Sequence, residues 1–503
     1  MIKWPLVHSL IPVLLTAPLA FATTSSPTEP LQSELNASLE VTSSKLLDVI
    51  MLGEVGSSVT AMLHFDGVTL AVPLQPHSVR SASYNIQAQR EDGSWYSVEP
   101  GPLQTLRGTI PVMPGSLVAA SWSNGGLEAR IRLESGEDWW IQPVATGAGA
   151  GLGAHVMFRD EDVRSLGGCG TSSLSNPYGG QGAPSIPAPN IRDGGDGIYA
   201  AGAGAIAELA TDADYEYFQD WGSVNGVTSR IESVINTMNL QYESEVGITH
   251  QIGTQLVRTS GSQPYKSKNA SKLLNSVRSE WLNNQSGVQR DVVQLFSGKA
   301  ISGGTIGIAW LGAICSTNIG YGMVQSDFNG NFASATDLSA HELGHNWNAQ
   351  HCSCLNNTMN PYIQSKNTFN STFTIPTIVA FRNASTCLSD PGTPPTGGTP
   401  VSVHVESIVA GAQGVGKGKK VGTATVTILD DLGGVAAGVT VSGSFSGSFS
   451  ESFTGTTGSN GTVSFTTTAT AKGGVVVTFC VNSVSGGALP YDSNDDAMGC
   501  DSN

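Results

Sequence analysis

The stretch His341–His351, HELGHNWNAQH, decides the fold. Residues four apart on a helix share a face, with Cβ atoms about 5–6 Å apart, so His341 and His345 can reach one metal ion. Glu342 sits beside them, where a carboxylate takes a proton from a water at the metal. His351 lies further on, beyond Trp347 and Asn348. On an unbroken helix it would stand about 9 Å along the axis from His345 and well round the far side. It shares the metal only if the helix stops between them. Asn348 lies where the break must come, and Asn is the best residue after Gly at tolerating positive φ. The spacing predicts a helix, a left-handed turn and a third imidazole returning to the metal.

A site with a Glu as third ligand needs one downstream. The first Glu after Glu342 is Glu406, beyond a Pro/Gly-rich segment, and the only Asp between Asn346 and Val405 is Asp390. His351 is therefore the candidate. The pattern resembles that of the metzincins, HExxHxxGxxH, with Asn348 in place of the family's Gly. Those proteins also carry a methionine turn beneath the metal, and NNTMNPY supplies Met359 at a suitable distance from His351. Some metzincins use a tyrosine two residues past the methionine as a further ligand. Tyr362 stands three past Met359, and the offset disfavours that role.

Length, charge and cysteines bound the rest. A chain of 503 residues has room for about three domains. Charged residues are 13 % and glycines number 61, a composition that suits β-rich extracellular architecture. A net charge of −16 argues against nucleic acid and anionic membranes as partners. Residues 1–22 read as a secretory signal peptide: Lys3, an apolar run from Leu6 to Leu19, and Ala20-Phe21-Ala22 as the cleavage signal. No later run is long enough to span a bilayer, so a soluble, secreted protein is expected. Export favours disulfides. The cysteines are seven. Cys480 and Cys500 are expected to pair, and Cys315 with Cys387 could clamp the active-site segment. Cys352 and Cys354 either pair with each other or exchange partners with that clamp. Cys169 is left over.

Residues 23–190 contain short alternating segments over Val59–Val72 and Ser116–Val144, as β-strands do. The stretch from His77 to Val144 resembles the propeptide of the reprolysin (adamalysin) family. Its end, GGCGTSSLSNPYGGQGAPSIPAPN, reads as an exposed connector that a protease could cut. Residues 191–390 form the expected catalytic domain. AIAELATDADYEYF opens it as a strand, VTSRIESVINTMNLQYE and NASKLLNSVRSEWLNN have helical periodicity, and GGTIGIAWLGAICSTNIGYGMVQ holds an edge strand before the metal helix. Residues 391–400 are a Pro/Gly linker. Residues 401–503 alternate as an all-β sandwich of immunoglobulin-like type, with Phe445, Phe449 and Phe453 on one face of a single strand.

As a whole the chain resembles a secreted bacterial metzincin zinc protease of the reprolysin/adamalysin (ADAM-like) family. The resemblance implies an α/β metzincin catalytic domain between a β-rich propeptide and the C-terminal sandwich. It implies zinc on His341, His345 and His351, Glu342 as general base, and protein or peptide substrates. Cys169-Gly170 resembles the propeptide cysteine that fills the fourth zinc position of a zymogen. Family members often bind calcium away from the cleft, which carries over to Glu208, Asp291, the Cys387 carbonyl and Asp390. Cys352 departs from the family, where many members have Asp after the third His. A rival reading is a secreted binding protein or adhesin with a silent protease-like domain. Loss of Glu342 or of a ligand would favour it, and none is lost. The C-terminal module remains a candidate for binding a surface or substrate.

Overall fold

The computed structural model describes residues 29–123, 126–144, 154–164, 167–171, 204–389, 402–430, 435–458, 461–487, 489–493 and 499–502. The expected signal peptide, most of the connector and the 391–400 linker lie outside the described residues. A short helix, α1 (Glu29–Ser38), leads into β1 (Lys45–Leu52), β2 (Val59–Phe65) and β3 (Val68–Pro76). The chain then leaves for a hairpin, β4 (Arg80–Gln89) and β5 (Trp95–Val98). It returns as β6 (Thr105–Ile110), β7 (Met113–Ser123), β8 (Gly126–Arg132), β9 (Asp138–Pro143) and β10 (Ala154–Arg159). Without the hairpin, these strands close into a barrel in the order β1-β10-β9-β8-β7-β6-β3-β2. Period-two burial explains it. Val59, Ala61, Leu63 and Phe65 of β2 all point inward, and Leu74, Val118 and Ile141 help fill the interior. Closure leaves these strands no open edge.

A second sheet follows. After β11 (Gly168–Cys169) come β12 (Ala205–Ala213), α2 (Tyr215–Trp221), α3 (Val224–Val246), β13 (Ile248–Arg258), α4 (Ala270–Asn283) and β14 (Val292–Ser297). β15 (Thr305–Ala309), β16 (Tyr321–Gln325), α5 (Phe332–Asn346) and α6 (Thr374–Ala384) complete the unit. The sheet order is β11-β15-β16-β14-β12-β13-β4-β5. Its pairs are parallel except β15 with β16 and β4 with β5. All six residues of β14 are buried, as in a parallel strand covered on both faces. The stretch expected to run as one strand through YEYF instead breaks at Asp214. That carboxylate caps α2, accepting from Tyr217 N at 2.9 Å. α3 begins at an Ser223 cap and ends at Gly247 with φ 60°.

The sheet crosses the expected domain boundary at residue 190, because β4, β5 and β11 precede it. Its far side is held by buried charge. Arg258 makes a two-pronged bond to Asp212 at 3.0 and 2.7 Å, both side chains fully buried. Tyr265 Oη and Trp281 Nε1 also donate to Asp212, at 2.6 and 3.1 Å. Asp212→Ala strands three donors, and breaking such a pair costs about 3–5 kcal/mol. Urea unfolding should show that loss. A cost below about 1 kcal/mol, the scale of an exposed pair, would contradict it.

The C-terminal residues form β17 (Val403–Gly416), β18 (Lys419–Asp430), β19 (Thr440–Gly447), β20 (Glu451–Thr456), β21 (Thr462–Thr466), β22 (Ala471–Lys472), β23 (Val477–Ser485) and β24 (Cys500–Ser502). Two sheets, β17-β18-β21 with β22 on β18, and β20-β19-β23-β24, contribute to one apolar cluster. Contrary to the expectation of a single strand, the three phenylalanines do not share one. Gly447 at φ 92° turns the chain, so Phe445 lies on β19, Phe453 on β20 and Phe449 between them. The repeat of small residues permits the turn, and Phe445 and Phe453 still meet edge to face at 5.7 Å. Among the described residues no helix is long and apolar enough to cross a membrane.

Candidate metal centre

α5 carries the first part of the centre. Asn331 caps its start by accepting from Ser334 N at 3.1 Å, and every residue of the helix is buried. Its end has the geometry the spacing predicts. Asn348 has φ 72°. Its N–H bonds His345 O at 2.8 Å, and that of Ala349 bonds Gly344 O at 2.9 Å. The two bonds make a Schellman ending with Asn where Gly is usual. Trp347 locks the turn, its buried Nε1 donating to His250 Nε2 at 3.0 Å.

The turn brings His351 back. Its Nε2 lies 3.2 Å from both His341 Nε2 and His345 Nε2, which are 3.1 Å apart. The outer nitrogens fix the tautomers. His341 Nδ1 faces Thr358 O at 2.5 Å, and His345 Nδ1 faces Ala349 O at 2.7 Å. A carbonyl only accepts, so each Nδ1 holds the proton and each Nε2 presents a lone pair inward. Burial holds the His341 imidazole down at about 3, His345 well below its usual value and His351 lower than usual, so all three stay neutral. Cys169 Sγ lies 3.4 Å from His345 Nε2, and the four donor atoms are all within 4.8 Å of one another. A tetrahedral zinc with bonds of about 2.0–2.1 Å to nitrogen and 2.3 Å to sulfur puts its donors roughly 3.4–3.6 Å apart. Donor type, spacing and tautomers all fit that ion.

Glu342 is fully buried beside the cluster, and neither carboxylate oxygen has a hydrogen-bond partner among the described residues. Burial pushes its carboxyl up to about 8. Burial, and then the neighbouring Glu342, raises the Cys169 thiol well above its usual value. A divalent cation between them would favour both anions instead. Gly307 on β15 makes room for the carboxylate: a Cβ there would lie 2.3 Å from Glu342 Oε1. Met359 is fully buried, and a Cβ on Gly344 would meet its Sδ at 2.5 Å, so the sulfur packs directly against α5. Tyr362 is 62 % exposed, its ring beside Gly168.

Cys169 reaches the cluster as part of β11. That strand lies between β15 and the 361–363 segment. Cys169 N donates to Pro361 O at 3.0 Å, Gly170 N to Gly307 O at 2.9 Å and Ile363 N to Gly167 O at 3.3 Å. Thr171 Oγ1 spans both backbone groups of Ala309, at 3.2 Å each, and accepts from the thiol at 3.1 Å. Sequence reasoning missed Thr171, Gly307 and Asp337. Buried Asp337 accepts from Thr358 Oγ1 and Ser365 N, both at 2.8 Å, tying the loop around Met359 to α5. Its signal was available: an Asp four residues before His341, on the helix's metal side.

Cysteines pair as Cys315–Cys387, Cys352–Cys354 and Cys480–Cys500, and Cys169 is free. Cys352 N also donates to Met359 O at 3.0 Å, which anchors the turn. Of the calcium candidates, Glu208 and Asp291 are neighbours: Glu208 N donates to Asp291 Oδ2 at 2.8 Å, and Asp291 N to Glu208 O at 2.8 Å. Burial, with Glu208 close by, lifts Asp291 to about 6. Asp390 lies outside the described residues, and the only group of three or more metal-type side chains among those described is Cys169, His341, His345 and His351.

Residues 205–392 match the family Reprolysin_5, metallo-peptidase family M12. A stretch of 71 residues is 35 % identical to the zinc metalloproteinase-disintegrin-like atrase-B of Naja atra, and to the same extent to the kaouthiagin-like protein of that snake. The similarity covers 13 % of this chain and 12 % of each relative, so the chain spans only a small part of the curated relatives it matches.

Proposed function

We propose, from a metallopeptidase family M12 domain at residues 205–392, that the protein is a secreted zinc endopeptidase made as a latent precursor. The observation that carries the reading is the convergence of three neutral imidazoles and a thiol beside a buried, unpartnered carboxylate. His341, His345 and His351 would hold the zinc, with Cys169 as a further ligand in the latent form. Zinc held there would supply a Lewis acid for a scissile carbonyl and would lower the pKa of a water. Glu342 takes that water's proton and passes it to the leaving amine. Met359 packs beneath the imidazoles without ligating. β15 offers its edge to a substrate peptide once the 167–171 segment has left. Residues 1–22 direct export, and three disulfides suit an oxidising compartment.

The test is casein digestion by the full-length Cys169→Ala protein, in which the N-terminal unit keeps its seat. Hydrolysis should stop with phenanthroline and return with zinc. Bound zinc without cleavage of casein or any peptide library would overturn the reading.

Gly307→Ala probes the carboxylate's setting. The new methyl must displace Glu342, and a shift of about 1 Å at a reacting group can cost about a hundredfold. We expect kcat/KM to fall by roughly that factor with zinc content unchanged. Unaltered kcat/KM would show that the carboxylate's position does not matter.

A further inference from the structure

We propose that the N-terminal unit, residues 29–171, stays seated on the 204–389 unit after the chain between them is cut, so one cut in residues 172–203 leaves the centre blocked. The inference rests on the latent reading above for its second half only.

The first support is a shared core. Val41, Val79, Trp140, Val156, Phe158 and Val163 belong to the same buried cluster as Ile231, Phe332 and Leu338, all 8 % exposed or less. Trp140 meets Phe332 edge to face at 5.8 Å. An interface built like a divided domain core is of the obligate kind.

The second support is sheet continuity. β4 adds in parallel to β13, with Asn85–Gln89 opposite Thr254–Arg258, and Ile252 N donates to Val79 O at 2.7 Å. Removing the hairpin would open a long edge strand.

The third is buried charge whose partners come from the other unit. Arg80 grips Glu232 at 3.0 and 3.1 Å, and Tyr84 Oη donates to the same carboxylate at 2.5 Å. Arg107 bonds Asn236 Oδ1 at 2.8 Å and its carbonyl at 2.6 Å. Arg130 and Arg132 both reach Asn367 O, at 2.6 and 2.8 Å. Arg230, in return, pairs with Glu128. The Arg80–Glu232 and Arg230–Glu128 pairs fix register and resist separation, while Arg130 and Arg132 keep Asp138, and Arg230 keeps Asp327, within their own units.

Chain order does the rest. Cys169 comes after β10 and before the 172–203 segment, so a cut there leaves it tethered to the seated barrel. The tether keeps the thiol's effective concentration at the centre high. Release then needs a second event, a cut between β10 and β11 or destruction of the barrel.

The experiment places a site-specific protease sequence within residues 172–203, in the wild type and in Cys169→Ala, and cuts both. We expect the two fragments to co-elute in size-exclusion chromatography without denaturant. Cut wild type should hydrolyse casein at least roughly a hundredfold more slowly than cut Cys169→Ala, in line with an intramolecular blocker. Fragments that separate on the column would overturn the seating. Co-elution with equal casein hydrolysis by the two cut proteins would overturn the continued block. If cut Cys169→Ala is inactive while the fragments co-elute, the seating stands and the latent reading fails instead.

Discussion

Glu342→Gln is expected to leave the fold and the metal in place and lower peptide hydrolysis by about 10²–10⁴, the usual share of a general base. Isosteric replacement is clean here for a physical reason. Neither carboxylate oxygen has a partner among the described residues, so no hydrogen bond is lost. The amide is neutral, and a neutral group is easier to bury than a carboxylate. The nitrogens that define the cluster belong to other side chains, with His341 and His345 oriented by Thr358 O and Ala349 O. Zinc content, measured by elemental analysis, should match the wild type, and the urea midpoint should not fall. Hydrolysis by the variant at the wild-type rate would remove Glu342 from the chemistry.

Cys169→Ala has the second large effect. The substituted precursor should hydrolyse casein without being cut, where the wild-type precursor does not. The gain should stop short of the freed enzyme's rate. Alanine removes the thiol but keeps the backbone bonds of Cys169 to Pro361 and of Gly170 to Gly307, and Thr171 still spans Ala309. Substrate must displace that segment from β15 before it can bind. Adding Thr171→Val, which removes the hydroxyl from Ala309, should raise the activity further. A Cys169→Ala precursor that stays fully latent would refute the thiol's role.

Much of the centre was legible in the sequence because its geometry is local. Helical spacing placed His341 and His345 together, and the need to turn before His351 put the burden on Asn348, which has φ 72°. Helices α3 and α4 followed from periodicity, whereas α2 was read as strand and α6 was not read. What escaped was non-local. The excursion of β4 and β5 from the barrel joins strands that are distant in sequence, through parallel pairing that no turn residue announces. Barrel closure likewise depends on β1 finding β10. Arg130 and Arg230 are buried, and each adds to an ion pair within its own unit a contact from the other, Arg130 with Asn367 O and Arg230 with Glu128, which no local pattern announces. Gly307 looked like one more glycine in a Gly-rich chain until Glu342 stood against it. The phenylalanine repeat misled because a period of four residues suits a two-residue alternation and a hairpin equally well.

The most direct test of the latent zinc centre is X-ray absorption at the zinc edge of the uncut precursor. The account predicts one zinc with three imidazole nitrogens at about 2.0–2.1 Å and one sulfur at about 2.3 Å. The sulfur should vanish in Cys169→Ala while the imidazole signal remains. Zinc without a sulfur neighbour in the uncut precursor, or a sulfur signal that survives the substitution, would contradict it.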